Sequence, residues 1–433
     1  MTKISSDKRR LSLGVATAMV LVAATVPGLT DPKQDEVFTQ VDAVAIPGSP
    51  LASFDISWVD PVLKKYYLGD RSNKAVDVID TATKTVSQFK PTSPTALTGF
   101  VGFTGNNDTS GPDGVMTVEN KQLWVGDGMS RVWVLDAKTG AALTLPGGVP
   151  NPIPTGTGAT RADELCYDPA DHLVLVANNA DSPPFASLIS TTTYTVVKKI
   201  PFDGTNNAPN SNNGAEQCGW SPRTGKFYIS IPGIAGRLPD GTAGGVAVIN
   251  PKTMKVETTF LIDPNDCAAP QGMAIGPAPQ ILLGCNAPSP NGHSNTVIIN
   301  EHNGNVLKTL VDLGGNDEVW FNPGDGHYFL AEGQLLPTEQ LGVVDSVGKH
   351  PDQAVPVADN SGGTTRRSHS VAADPNVNQV YLPIPATTAG FSSTLCADPT
   401  KGCVAVFATA HDDQPRFVRH DDHDHDHDGD HDR

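Results

Sequence analysis

The sequence predicts an all-β chain wound into one seven-bladed β-propeller, each blade a sheet of four antiparallel strands. Three observations carry this. The first is self-similarity: "RADELCYDPADHLVLVANNA" (161–180) is reworded as "NGAEQCGWSPRTGKFYISIPG" (213–233), and the pattern recurs along the chain at about 50-residue spacing. The second is that each unit holds four short apolar runs. The third is composition: Gly 42 and Pro 36, with 18% charged and 6% aromatic residues, suit turns and short strands. No stretch after residue 30 has clean helical periodicity.

Residues 1–30 are expected to lie outside the fold. "MTKISSDKRR" is a basic segment, and "LSLGVATAMVLVAATVPGLT" is an apolar run ending in small residues and a helix breaker. That is the layout of a secretory signal peptide. The alternative is an uncleaved anchor, because the run is near the lower length limit for spanning. No later segment is long and apolar enough to cross a bilayer. The chain is therefore expected to be exported, periplasmic or secreted, and monomeric.

The repeating units begin at Asp55, Asp113, Asp163, Glu216, Gln271, Asp317 and His369. Each opens with an inner strand and a Pro or Gly turn. A second strand follows ("YYLG", "LWVG", "VLVA"), then a third ("VDVID", "VWVLD", "VAVIN", "TVIIN") and a fourth ("KTVSQF", "KVETTF", "NVLKTL"). The Asp or Asn between third and fourth strands is expected to bond its own backbone in a turn. The last unit stops after its third strand, "CVAVFAT". The segment "QVDAVAIPG" (40–48) has the pattern to supply the missing fourth, so the propeller should span 40–410 and close on its N-terminal strand.

Six cysteines in an exported chain point to disulfides. Cys396 and Cys403 close a short loop, and Cys267 and Cys285 flank a hairpin whose ends antiparallel pairing brings together. Cys166 and Cys218 leave neighbouring inner strands on opposite faces, and so point either toward each other or apart. No CxxC suggests a redox or zinc centre.

"YYLGDRSNKAVDVIDTATKTV" and "LWVGDGMSRVWVLDAKTG" resemble the repeat of the YVTN/YncE-like bacterial propeller family. That repeat runs Tyr-Val-Thr-Asn, a gap, then Val-Ser-Val-Ile-Asp-Thr-Ala-Thr. The resemblance covers about residues 40–410 and is best in the first two units. Asp70 and Asp127 stand where the family often has Asn, while Asn178 and Asn286 keep the amide. It implies the fold far more than an activity, because propellers host many. Through YncE it also implies single-stranded DNA as a partner, but charge weighs against nucleic acid. Of the total charge of −17, the tail 411–433 contributes −6 and residues 1–30 contribute +3, which leaves −14 on the body.

The residues that open the seven inner strands should converge at one mouth of the central channel. Five are carboxylates (Asp55, Asp113, Asp163, Glu216, Asp317), with Gln271 and His369 completing the ring. The second strands run back to the same end and are expected to add Asp70, Asp127, Asn178, Asn286 and Glu332. A wet channel tolerates such residues, and Asp at a strand start bonds loop amides. Against that reading, clustered carboxylates repel one another unless a cation offsets them. An oxygen-rich ring with one imidazole suits Ca, Mg, Mn or Zn as a divalent metal. For chemistry, Arg161, Arg366 and Arg367 are candidates to orient an anionic group, with Glu164, Glu318 or His369 as acid or base. The alternative for the arginines is solvated loop charge.

The tail 411–433 is low in complexity and expected to be disordered. His411, His420, His423, His425, His427 and His431 alternate with Asp, a pattern that binds Zn, Ni or Cu ions without preformed geometry. Two functions are carried forward. One is a binding or interaction propeller with a metal at its channel mouth, taking a small-molecule or protein ligand. The other is a metal-dependent enzyme, a hydrolase (lactone- or ester-opening) or lyase, working at the same mouth.

Overall fold

A computed structural model describes residues 37–92, 99–333, 338–360 and 367–410. Residues 1–30 and the tail 411–433, with its His420, His423, His425, His427 and His431, lie outside the described residues, as does Arg366. Seven four-stranded antiparallel sheets follow one another along the chain. Six are consecutive meanders, such as Ser57–Asp60, Lys65–Asp70, Ala75–Asp80 and Val86–Phe89 in blade 1. The seventh takes Ala372–Asp374, Gln379–Ile384 and Cys403–Thr409 from the C-terminal end and Phe38–Ala45 from the N-terminal end. Its register pairs Phe38 with Thr409 and Ala45 with Cys403, so the expected closure is present, two residues earlier than the sequence places it.

The third-to-fourth strand turns form as composition predicts. Asp80 Oδ1 accepts from the amides of Ala82 and Thr83, Asp136 from those of Lys138 and Thr139, and Asn250 from those of Lys252 and Thr253. Blade 2 differs in its outer strand. Ala142 makes only an isolated bridge to Leu135, and the fourth strand is the short Ile153–Pro154.

The hydrophobic cores lie between blades. Leu175 and Leu188 of blade 3 pack with Phe227 and Ile229 of blade 4, all fully buried. Tyrosines at the starts of second strands tie blades by their hydroxyls. Tyr67 donates to the Ala137 carbonyl of blade 2 at 2.8 Å, and Tyr228 to the Glu301 carbonyl of blade 5 at 2.9 Å. All six cysteines pair, as Cys166–Cys218, Cys267–Cys285 and Cys396–Cys403. The first, left open by the sequence, joins the inner strands of blades 3 and 4. No helix of the described residues is long and apolar enough to cross a membrane.

Candidate functional site

One backbone bond repeats at the mouth. The amide of the residue opening a unit donates to a carbonyl near the end of its own blade's second strand: Asp55 to Gly69 (2.8 Å), Asp113 to Gly126 (2.9 Å), Asp163 to Ala177 (2.8 Å) and Glu216 to Ser230 (2.9 Å). The same second strand touches the next blade's opening segment. A Cβ on Gly69 would stand 2.5 Å from the Asp113 carbonyl oxygen, and one on Gly126 would stand 2.4 Å from that of Ala162. Glycine there lets neighbouring blades approach closely enough to bring their acids together.

Asp55, Asp113 and Asp163 are buried, and one oxygen of each lies within 4.8 Å of the others. Two guanidinium groups occupy the space among them. Arg71, 2% exposed, donates from Nε to Asp113 Oδ1 at 2.8 Å, and its Nη2 bonds both Asp113 and Asp55. Arg161 places Nη2 2.6 Å from Asp163 Oδ2 and Nη1 3.2 Å from Asp55 Oδ2. Arg161 is thus an ion-paired member of the ring, not a solvated loop charge. His369 stacks on Phe54 with centroids 4.9 Å apart. Its Nδ1 donates to the Arg367 carbonyl at 3.1 Å, and its Nε2 stands 3.4 Å from Asp55 Oδ1.

The arginines do not hold every acid of the ring in the usual carboxylate range. Burial pushes Glu216 up to about 8, with Asp163 and Asp317 adding repulsion. Burial raises Asp163 to about 7 despite Arg161. It also drives Glu164 and Glu318 well above the carboxylate range, with Glu318 adding repulsion to Glu164, and Asp55 to Glu318. Asp55 goes the other way: burial raises it, but Arg71, Arg161 and His369 together hold it below the usual range. Glu318 Oε2 accepts from Ser370 Oγ at 2.7 Å, which in turn accepts from the Ser57 amide at 2.8 Å. Gln217 bridges blades 4, 5 and 6, its Oε1 accepting from the amides of Met273 (2.6 Å) and Val319 (3.3 Å). Gln271 spends its Oε1 on Asn286.

The second-strand residues mostly do not join the ring. Asp70 holds Asn73, Asp127 holds Arg131 and Trp133, Asn178 holds Thr155 and Ser187, and Glu332 holds Gln340. They brace loops and third strands, because their side chains leave the strand toward the blade's interior. Asn286 alone of the five touches a ring residue.

Two cavities bear on the channel, one lined by loops and one by inner strands. One of about 550 Å³ opens at the ring and is lined by Arg71, Arg367, His369, Phe54, Phe103 and Asn107, among others. Neither Glu164 nor Glu318 lines it. The other, about 410 Å³, lies at the opposite ends of the inner strands, with Trp58, Trp220, Trp320, Tyr167 and the Cys166–Cys218 bridge in its wall. Sequence reading missed Arg71. Its signal was "GDRSNK", where the first unit alone follows the second strand with a cation; the second has Gly128 at that place.

No family model matches the chain, and no curated protein matches it by sequence. The fold has solved counterparts. A chain of a structure titled "Crystal Structure of Mitotic Checkpoint Complex" aligns with TM-score 0.59 and 11% identity, over 91% of this chain and all of that one. The WD40 β-propeller domain of Doa1 aligns with TM-score 0.54 and 12% identity, over 86% of this chain and 97% of that one. At such identities the likeness is one of fold: the chain is a seven-bladed β-propeller.

Proposed function

We propose that this chain is an exported, YncE-like binding propeller whose ligand site is the arginine-bearing mouth of its channel. In this reading guanidinium groups and protons, rather than a resident divalent ion, neutralise the ring. The observation that carries it is the position of Arg71 and Arg161, which donate to the carboxylate oxygens a metal would need. A cation entering there displaces buried ion pairs and must repay their loss. The leader pattern of residues 1–30 and the pairing of all six cysteines support export to an oxidising compartment. The YVTN-like repeats support the YncE-like assignment, and the acidic body weighs against nucleic acid as partner.

One observation favours a second reading, a Ca, Mg, Mn or Zn ion on Asp55, Asp113 and Asp163: their oxygens are close enough to share one ion. The metal-dependent hydrolase or lyase belongs to that reading. It is weakened because its candidate bases Glu164 and Glu318 stand outside the lining of the mouth cavity.

Ion titration followed by thermal unfolding, on chain lacking residues 411–433, separates the two. The parent should gain nothing from Ca, Mg, Mn or Zn ions. Arg71→Met with Arg161→Gln, which together unlock the triad, should become ion-stabilised. A parent already stabilised by one of these ions, with the gain lost in Asp113→Asn, would establish the metal reading instead.

A further inference from the structure

We infer that the mouth cavity takes a small molecule with an oxyanion head, carboxylate or phosphate, on a flat apolar body. This rests on the mouth being the ligand site and names the class of ligand. Three of the five N–H donors of Arg71, those on Nε and Nη2, hold Asp113 and Asp55. Its Nη1 has no hydrogen-bond partner among the described residues, and the side chain, though 2% exposed, lines the cavity. A buried guanidinium held rigid by two carboxylates, on a side chain that lines a cavity and with one nitrogen unpartnered, is a prepared oxyanion donor.

Arg367 supplies the second cation. It is half-buried and lines the same cavity; its charge reaches Glu339, but its guanidinium makes no hydrogen bond or ion pair among the described residues. Arg71 and Arg161 offset Asp55 and Asp113, so Arg71 offers the ligand directed N–H donors and Arg367 the additional positive charge. The apolar wall is equally defined. Phe54 lies parallel to the His369 ring, with 6° between planes, and Phe103 stands at the rim with half of its surface exposed. A volume of about 550 Å³ suits a small organic anion with room for its water.

Calorimetric titration of the full chain with benzoate, phenyl phosphate and the cation benzamidine tests the inference. At least one anion should bind at one site per chain, and benzamidine should not. The tighter of the two anions identifies the head group. Arg367→Gln should weaken the anion about tenfold or more, the loss of a charge-assisted bond. Phe103→Ala should weaken benzoate and phenyl phosphate alike. Benzamidine binding as tightly as the anions, no heat from either anion, or unchanged affinity in Arg367→Gln would each overturn the inference. None of those results touches the arginine lock itself, which is judged by the ion response of the parent chain.

Discussion

Truncating Arg71 to Met would leave Asp55 and Asp113 buried without the guanidinium that bridges them. Breaking one side of a buried ion pair costs about 3–5 kcal/mol, and chemical denaturation should show a loss of that order. Adding Asp113→Asn to Arg71→Met should restore part of it, because the stranded charge is gone. The acids whose burial outweighs any arginine make a different prediction. Glu216, Glu332 and Glu339 are each raised to about 8, chiefly by burial. Unfolded Glu titrates near 4.3, so between roughly pH 4.3 and 8 the folded chain keeps protons that the unfolded chain has released. Stability should therefore fall as pH rises through that window, by at most about 1.4 kcal/mol per pH unit per group, and level off above it. Melting curves from pH 5 to 9 check the slope, and Glu332→Gln, which keeps its bond to Gln340, should make it shallower. At this scale the sequence showed which residues face the mouth but not how their charge is met. Asp55, Asp113 and Asp163 were legible because the repeat places them. Arg71 was not, because it breaks the repeat, and its partners come from two blades.

The three disulfides differ in how much chain they constrain. Cys166–Cys218 spans 52 residues, Cys267–Cys285 spans 18 and Cys396–Cys403 spans 7. Loop-closure entropy assigns them about 4, 3 and 2 kcal/mol in that order. Paired Cys→Ala variants should fall in that sequence when unfolded by urea. A larger loss for Cys396–Cys403 than for Cys166–Cys218 would show that local packing outweighs loop length. The strands that carry these bridges were readable from alternating apolar residues and Asp or Asn turns. The outer edge of blade 2 was less so, because "AALTL" bonds the third strand only at Ala141 and Leu143 around the isolated bridge of Ala142, while Ile153–Pro154 supplies the paired edge. Pattern alone cannot tell which of two nearby runs wins an edge when the intervening chain is long enough to let either reach it.

For the molecule as a whole, closure by Phe38–Ala45 is what removes the free edge of the last blade. Deleting residues 37–46 uncovers the Cys403–Thr409 strand and the pocket of Phe38, which is 1% exposed. That variant should aggregate or elute as a broad species in size exclusion, while deletion of 411–433 should leave a sharp peak. Blade number and closure were legible because they are written seven times over and at both ends of the chain. Neutralisation of the ring was not, because it depends on which loop residues fold inward over the channel. The central claim is that the mouth is electrically complete with Arg71, Arg161 and bound protons. Metal analysis of chain lacking residues 411–433, purified without chelator and melted before and after chelation, tests it most directly. The account predicts substoichiometric metal and an unmoved melting temperature. One Ca, Mg, Mn or Zn per chain, with a lower melting temperature once it is removed, would contradict it.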